Sequence, residues 1–146
     1  MVAVEGYVIG IDFGLKHLGI AVGQTVTGTA SGLSTLKARN GKPNWSEVDE
    51  LLVQYRPIAL VVGLPLNMDG SDSHISQRAS TFAQRIAGHT NLPTYLADER
   101  LSSWAAKDDD VLTGDIHARS ACLIAETFLN DFSVCLPVKT KLHHPT

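Results

Sequence analysis

The chain has 146 residues, 44% of them hydrophobic, and a formal net charge of -3. That length supports one domain with its own core, with roughly two-thirds of the unfolded surface buried, and the apolar content excludes a disordered chain. The mild acidity argues against a basic face for non-specific nucleic-acid binding, but not against an enzyme whose metal ions supply local positive charge. Only Cys122 and Cys135 are cysteines. Neither has the spacing of a zinc module or a disulfide framework, and Cys122 lies in a helical apolar run as a small core residue. No apolar stretch reaches about 18 residues, and acidic Glu5 stands where a secretory leader carries basic ones, so a cytoplasmic setting is expected.

In chain order, Gly6 to Asp12 reads as a strand rich in Tyr7, Val8, Ile9 and Ile11, with Phe13 to Lys16 as a turn. His17 to Gln24 is a second strand and Thr29 to Ala38 a third, close enough together to form antiparallel hairpins. The period then changes. Asn44 can cap a helix, with Glu47 completing a capping box, and Trp45, Val48, Leu51, Leu52 and Tyr55 recur at helical spacing. Pro57 ends that helix. Ile58 to Gly63 is the continuous apolar run of a strand buried on both faces. A polar loop from Leu64 to Asp72 leads to a helix carrying Ile75, Ala79, Phe82, Ala83 and Ile86. Pro93 to Ala97 is a fifth strand, residues 101 to 112 are weakly helical, and a last helix runs from about His117 to Phe132. Residues 1–136 form the domain, and residues 137–146 form a loosely ordered tail.

The order β-β-β-α-β-α-β-α-α predicts an α/β fold. Three antiparallel strands lead into two right-handed parallel crossovers in one five-stranded mixed sheet, with helices on both faces. Strand 1 is then central, beside the fourth strand, and ligand sites form at the carboxyl ends of strands near such a switch point.

Polar residues at those ends are the candidates. Asp12 ends an apolar strand, where an ionised carboxylate is costly to bury unless it is paired or bound to metal; it can equally cap the Gly14 bend. Strand alternation sends Asp98 and Glu99 to opposite sides, so one can face a site while the other pairs with Arg100 or caps a helix. Lys16, in the turn after Asp12, can hold a phosphate or lie in solvent. Asn67 sits in a Pro/Gly-bounded loop suited to contacting a substrate. Arg100 can contact a phosphate or pair with Asp98, and Ser102 and Ser103 can cap a following helix. Trp45 has core spacing, while Trp104 is open to base stacking.

Three segments together resemble the YqgF/RuvX family, bacterial relatives of the RuvC resolvases: Ile9-Gly10-Ile11-Asp12-Phe13-Gly14-Leu15-Lys16-His17-Leu18-Gly19-Ile20-Ala21-Val22-Gly23, Val61-Val62-Gly63-Leu64-Pro65-Leu66-Asn67-Met68-Asp69-Gly70 and Asp98-Glu99-Arg100-Leu101-Ser102-Ser103. Each motif alone is weak, and their order and placement from about Gly6 to Phe132 carry the resemblance. It implies an RNase H-like fold, a cytoplasmic location and nuclease activity. The expected task is 5′-end processing of pre-16S rRNA, with Holliday junction resolution as the other assignment. By position Asp12 matches the first metal-binding acid and Glu99 the second. Two divalent ions about 4 Å apart can activate a water and stabilise the leaving oxygen, and Mg²⁺ or Mn²⁺ prefers such carboxylate oxygens.

The family's third acid begins the last helix, and here His117 stands in its place. Imidazole suits Mn²⁺ better than Mg²⁺, or can serve as general base on the attacking water. It can also simply start the helix, with Asp115 as cap or as substitute ligand. Asp108-Asp109-Asp110 stands where relatives carry basic residues, and such a run is most often a solvated face.

Three functions compete at this point. The first is a metal-dependent nuclease acting on structured RNA or branched DNA. The second is a nucleic-acid or ribosome-associated binding module with a degenerate site, favoured by His117 and the acidic run. The third is an ATP-handling domain, because Asp12-x-Gly14-x-Lys16 resembles the phosphate loop of the actin and sugar-kinase class. That class generally needs two such lobes, and this chain offers one.

Overall fold

The structure, a computed structural model, describes residues 5–99 and 116–138. Strands β1 (Tyr7–Asp12), β2 (His17–Gln24), β3 (Thr29–Arg39) and β4 (Lys42–Pro43) are followed by helix α1 (Trp45–Tyr55), β5 (Ala59–Leu64), α2 (His74–Thr90) and β6 (Thr94–Asp98). After the undescribed stretch come α3 (Ile116–Asn130), a 3-10 turn (Phe132–Val134) and β7 (Leu136–Pro137). The sheet order is β4-β3-β2-β1-β5-β6-β7. β1 runs antiparallel to β2 and parallel to β5, and β5 runs parallel to β6. β1 is therefore central, and the chain switches direction of travel between β1 and β5.

The sheet has seven strands, not the expected five. The additional pair, β4 and β7, are two residues long, too short to show alternation. Each contains a proline, which reads as a breaker in sequence but is tolerated on an edge strand. Pro43 pairs with Ala38 at one edge and Pro137 with Tyr95 at the other. Val138 N–H also donates to Thr94 O at 2.8 Å, so Pro137 and Val138, assigned to the tail from sequence, are bonded to β6. The weak helix expected over residues 101 to 112 lies outside the described residues.

Alternation along the strands sorts their side chains onto two faces. Ile9, Ile11, Leu18, Ile20, Leu60 and Val62 point to the face covered by α1 and α2, where Val48, Phe82, Ala83 and Ile86 meet them. Val8, Ala59, Val61 and Ala97 point to the other face, under Ile124, Phe128 and Leu129 of α3. Each fully buried side chain of this size contributes about 1.5–3 kcal/mol.

The helix ends follow local chemistry. Asn44 caps α1 by accepting from Ser46 N–H at 3.0 Å rather than through a box with Glu47. The capping box belongs to α2, where Ser73 and Ser76 bond reciprocally. Arg56 adopts a left-handed conformation (φ 47°) and its N–H returns to Leu52 O, ending α1 one residue before Pro57.

α3 lies unusually close to the sheet because the strands beneath it carry glycine. A Cβ on Gly10 would lie 2.6 Å from Ala121 O, and one on Gly32 3.2 Å from the Ala118 Cβ. One on Gly19 would collide with the His117 carbonyl. The helix answers with Ala118, Ala121 and Ala125, all buried. Ala30 on β3 fastens the outer side, its N–H donating to Glu126 Oε2 at 3.2 Å and its carbonyl accepting from Cys122 Sγ at 3.0 Å. These contacts fix the start of α3 above the end of β1.

Candidate active site

Asp12 is the last residue of β1 and Gly63 lies next to it on β5, one step beyond the Ile11–Val62 pair. Glu99 follows Asp98, which pairs with Leu64. Alternation puts Asp12, Gly63 and Glu99 on the α3 face and turns Asp98 away. The Glu99 side chain then crosses β5 at the one point where no side chain blocks it. A Cβ on Gly63 would sit 2.9 Å from both Cγ and Cδ of Glu99. Beyond the glycine, the Glu99 carboxyl hydrogen-bonds the carboxyl of Asp12.

This pairing is electrostatically demanding. Burial raises the Glu99 carboxyl to about 8, helped by the negative charge of Asp12, by their hydrogen bond and by Asp98. Burial also raises Asp12, opposed by the bond from Glu99 and by the nearby His117. Two carboxylates so close cannot both ionise at neutral pH, so the pair shares a proton. A divalent cation placed between them would relieve the same repulsion, and hard carboxylate oxygens are the donors Mg²⁺ and Mn²⁺ favour. The residues present therefore fit such an ion.

His117 stands in the first turn of α3, exposed, with its ring stacked on His17 of β2 at a centroid distance of 5.0 Å and 20° between planes. A positive charge on its ring would favour the ionised form of Asp12. Among the described residues, no three of His, Cys, Asp and Glu converge closely enough to hold an ion together. Asp115, the alternative ligand, lies outside the described residues, as do Arg100, Ser102, Ser103, Trp104 and the run from Asp108 to Asp110.

Lys16 is exposed in the turn beside Asp12, and its carbonyl accepts from Ala38 N–H at 2.8 Å. The side-chain amide of Asn67 donates within its own loop, to Ser71 Oγ at 3.1 Å and Asp72 O at 3.2 Å. Asn67 therefore shapes the loop after β5. Trp45 packs against Phe82 with centroids 6.3 Å apart, in keeping with its core spacing.

Two residues at the site were not singled out from sequence. His17 shares the α3 face with Gly19 and supports the His117 ring. Lys37 pairs with His17 across β2 and β3, so it extends the same face. The signal for both was present in the alternation of the hairpin, once its register was known.

The family model described as "RuvX: Holliday junction resolvase" matches residues 6–131. A protein of Glaesserella parasuis serovar 5 named "Putative pre-16S rRNA nuclease" is 45% identical over 134 residues, covering 86% of this chain and 97% of the relative. A Pseudomonas putida protein of the same name is 50% identical over 106 residues, covering 73% and 75%. Among solved structures, Thermus thermophilus RuvC in complex with a Holliday junction substrate superposes with a TM-score of 0.59 at 18% identity, covering 90% of this chain and 99% of that one. At that identity the likeness is one of fold, and it agrees with the expected RNase H-like α/β architecture. With the family model spanning nearly all of the domain and relatives this similar along most of their length, the chain belongs to the RuvX family.

Proposed function

We propose that this protein is a divalent-metal-dependent nuclease that hydrolyses phosphodiester bonds in structured RNA, acting in 5′-end processing of pre-16S rRNA. The observation that carries this reading is the half-buried carboxyl pair Asp12–Glu99, brought together across Gly63 from distant parts of the chain. The names of the relatives favour precursor rRNA over a branched DNA substrate.

In this reading Asp12 and Glu99 hold Mg²⁺ or Mn²⁺, and the third ligand is His117 after a movement that brings it to the pair, since the three do not converge in this structure, or Asp115 in its place. When bound, the metal would supply Lewis-acid charge stabilisation and an activated water. The chain does the rest. The buried walls around Asp12 and Glu99 keep the carboxyls short of solvent and fixed in direction. His117, if not a ligand, takes the proton of the attacking water, with His17 orienting its ring. Lys16, Lys37 and Arg100 hold phosphates on either side of the scissile bond, and Asn67 fixes the loop against which the strand lies. The working unit is the single domain, which takes in Pro137 and Val138 at the edge of β6. The reaction takes place in the cytoplasm, where precursor rRNA is made; no helix among the described residues is long and apolar enough to cross a membrane.

The test is cleavage of a pre-16S rRNA fragment and of a four-way DNA junction by the purified chain with Mg²⁺, with Mn²⁺ and with chelator. Cutting of the RNA is expected only with metal. Asp12→Asn and Glu99→Gln should each lower the rate on the order of 100-fold or more. Cutting of the junction alone would assign the site to branched DNA. A folded Asp12→Asn protein that cuts at the parent rate would refute the assignment, and binding without turnover at any metal would leave a binding module.

A further inference from the structure

The net acidity of the chain hides a local excess of positive charge. Lys16, Lys37, Arg39, Lys42, Arg78 and Arg85, six of the 12 Lys and Arg residues, gather around the β3–β4 hairpin, the turn after β1 and the adjoining face of α2. On the α2 side of the sheet three of them, Lys42, Arg78 and Arg85, line an open cavity of about 80 Å³. Arg78, Thr81 and Arg85 fall on one face of α2 by their three- and four-residue spacing and form one wall. Lys42 and the Asn40–Gly41 turn form the opposite wall, and Phe13, Trp45 and Phe82 the floor.

The cavity is built rather than incidental. Asn40 and Gly41 both have positive φ (51° and 81°), the two-residue turn that closes a tight hairpin. Arg78 clamps this turn, donating from one guanidinium nitrogen to Asn40 O at 2.8 Å and Asn40 Oδ1 at 3.1 Å. Gly41 rests on Phe13, where a Cβ would come within 2.9 Å of the ring. No acidic residue among the described residues lines the cavity. Among the described residues, Arg78, Arg85 and Lys42 form no ion pair. Three cations above an aromatic floor, with a hydroxyl from Thr81, suit a phosphate group attached to an organic body.

Its position says which phosphate. Phe13 directly follows Asp12, so one peptide carries the carboxylate on one face of the sheet and the cavity floor on the other. The two faces are joined by a laced rim, in which Gly41 N–H donates to Leu15 O at 2.9 Å and Ala38 N–H to Lys16 O at 2.8 Å. Lys37 on the α3 face, Lys16 on the rim, Lys42 at the end of the hairpin and Arg78 and Arg85 on the α2 face place cations on both sides of the end of β1. We infer that this cavity binds a backbone phosphate of the nucleic-acid strand flanking the scissile bond, so that the strand wraps the sheet end from the Asp12–Glu99 pair to Arg78 and Arg85. The inference rests on the proposed nuclease reading for its substrate, and extends it to a second, remote contact.

The experiment measures binding without cleavage. A fluorescent single-stranded RNA oligonucleotide is titrated in chelator against the parent chain, Arg85→Glu, Arg85→Ala and Asp12→Asn, across a range of salt. Arg85 is exposed, so its variants keep the fold, which a thermal melt verifies. Arg85→Glu should lower affinity at least tenfold, with Arg85→Ala intermediate. Loss of one phosphate contact should lower the slope of log K against log salt by about 0.7. Asp12→Asn, which removes a carboxylate that repels the strand in chelator, should not weaken binding. Unchanged affinity and slope in a folded Arg85→Glu protein would overturn the inference. So would inorganic phosphate that stabilises the parent but not Arg85→Glu while oligonucleotide affinity stays equal, because the cavity would then take a free anion. Arg85-dependent binding by a parent chain that cuts nothing with Mg²⁺ or Mn²⁺ would uphold the cavity and sink the nuclease reading. A parent that cuts, beside an Arg85→Glu protein that binds and cuts equally well, would do the reverse.

Discussion

The Glu99 side chain lies over Gly63 so closely that a Cβ there would come within 2.9 Å of its Cγ and Cδ. The glycine is therefore the opening through which Glu99 reaches Asp12. Gly63→Ala would also press on Ile124 Cδ1 at 2.5 Å. Both neighbours are flexible side-chain ends, so the fold should survive with about 1–3 kcal/mol of destabilisation from overpacking. Activity should fall far more than stability does, on the order of 100-fold, because the carboxyls are parted. A urea melt beside a cleavage assay checks this. A Gly63→Ala protein with parent activity would show that the pairing is dispensable.

Gly19→Ala should behave differently. Its new methyl group would meet the backbone carbonyl of His117, which cannot swing aside as a side chain can. The expected loss is about 3 kcal/mol or more, at the upper end for overpacking, read as a shifted urea midpoint. Activity should be lost along with the fold rather than ahead of it.

The carboxyl pair predicts a pH dependence in the absence of metal. The Glu99 carboxyl is raised from 4.5 to about 8 in the folded chain, so the folded state holds its proton more tightly than the unfolded state does. This contribution to stability is fully present below about pH 4.5 and is lost as pH rises through about 8. The chelated protein should melt at progressively lower temperature across that window, and Asp12→Asn should flatten the trend. Added Mg²⁺ or Mn²⁺ should raise the melting temperature more at pH 8 than at pH 5, since ionised carboxylates bind it. An identical pH trend in Asp12→Asn would place its origin elsewhere.

His117 separates two roles by one comparison. As a ligand, His117→Ala weakens Mn²⁺ binding measured by calorimetry, and high Mn²⁺ restores the rate. As general base, it leaves Mn²⁺ affinity near the parent value, lowers kcat about 10²-fold or more and removes the limb of the pH–rate profile that reports imidazole. His17→Ala removes only the stacked support and should give a smaller loss in the same direction.

Much of this arrangement was legible in the chain. The ends of β1 and β2 followed from alternation and from the Phe13 to Lys16 turn, and the buried β5 from its unbroken apolar run. Asp12 and Glu99 were legible through the family resemblance and the logic of strand ends. Their convergence was expected from the need to share a cation, but its route was not, because it depends on Gly63, whose lack of a side chain carries no periodic signal. β4 and β7 escaped because a two-residue strand has no pattern and proline suggests a stop. The cationic cavity escaped because net charge averages over the surface. Arg78 and Arg85 look like ordinary solvent-facing helix residues until the Asn40–Gly41 turn is folded against them.

Where Ala118, Ala121 and Ala125 of α3 meet Gly10, Gly19 and Gly32, the seam is made of glycine, alanine and main-chain atoms, and such a surface has no rotamers with which to adjust. It cannot loosen gradually by repacking, as a joint of leucines does. Warming should release this part of the helix in a single step, so that amide protons from Ala118 to Ala125 begin exchanging with solvent together rather than turn by turn.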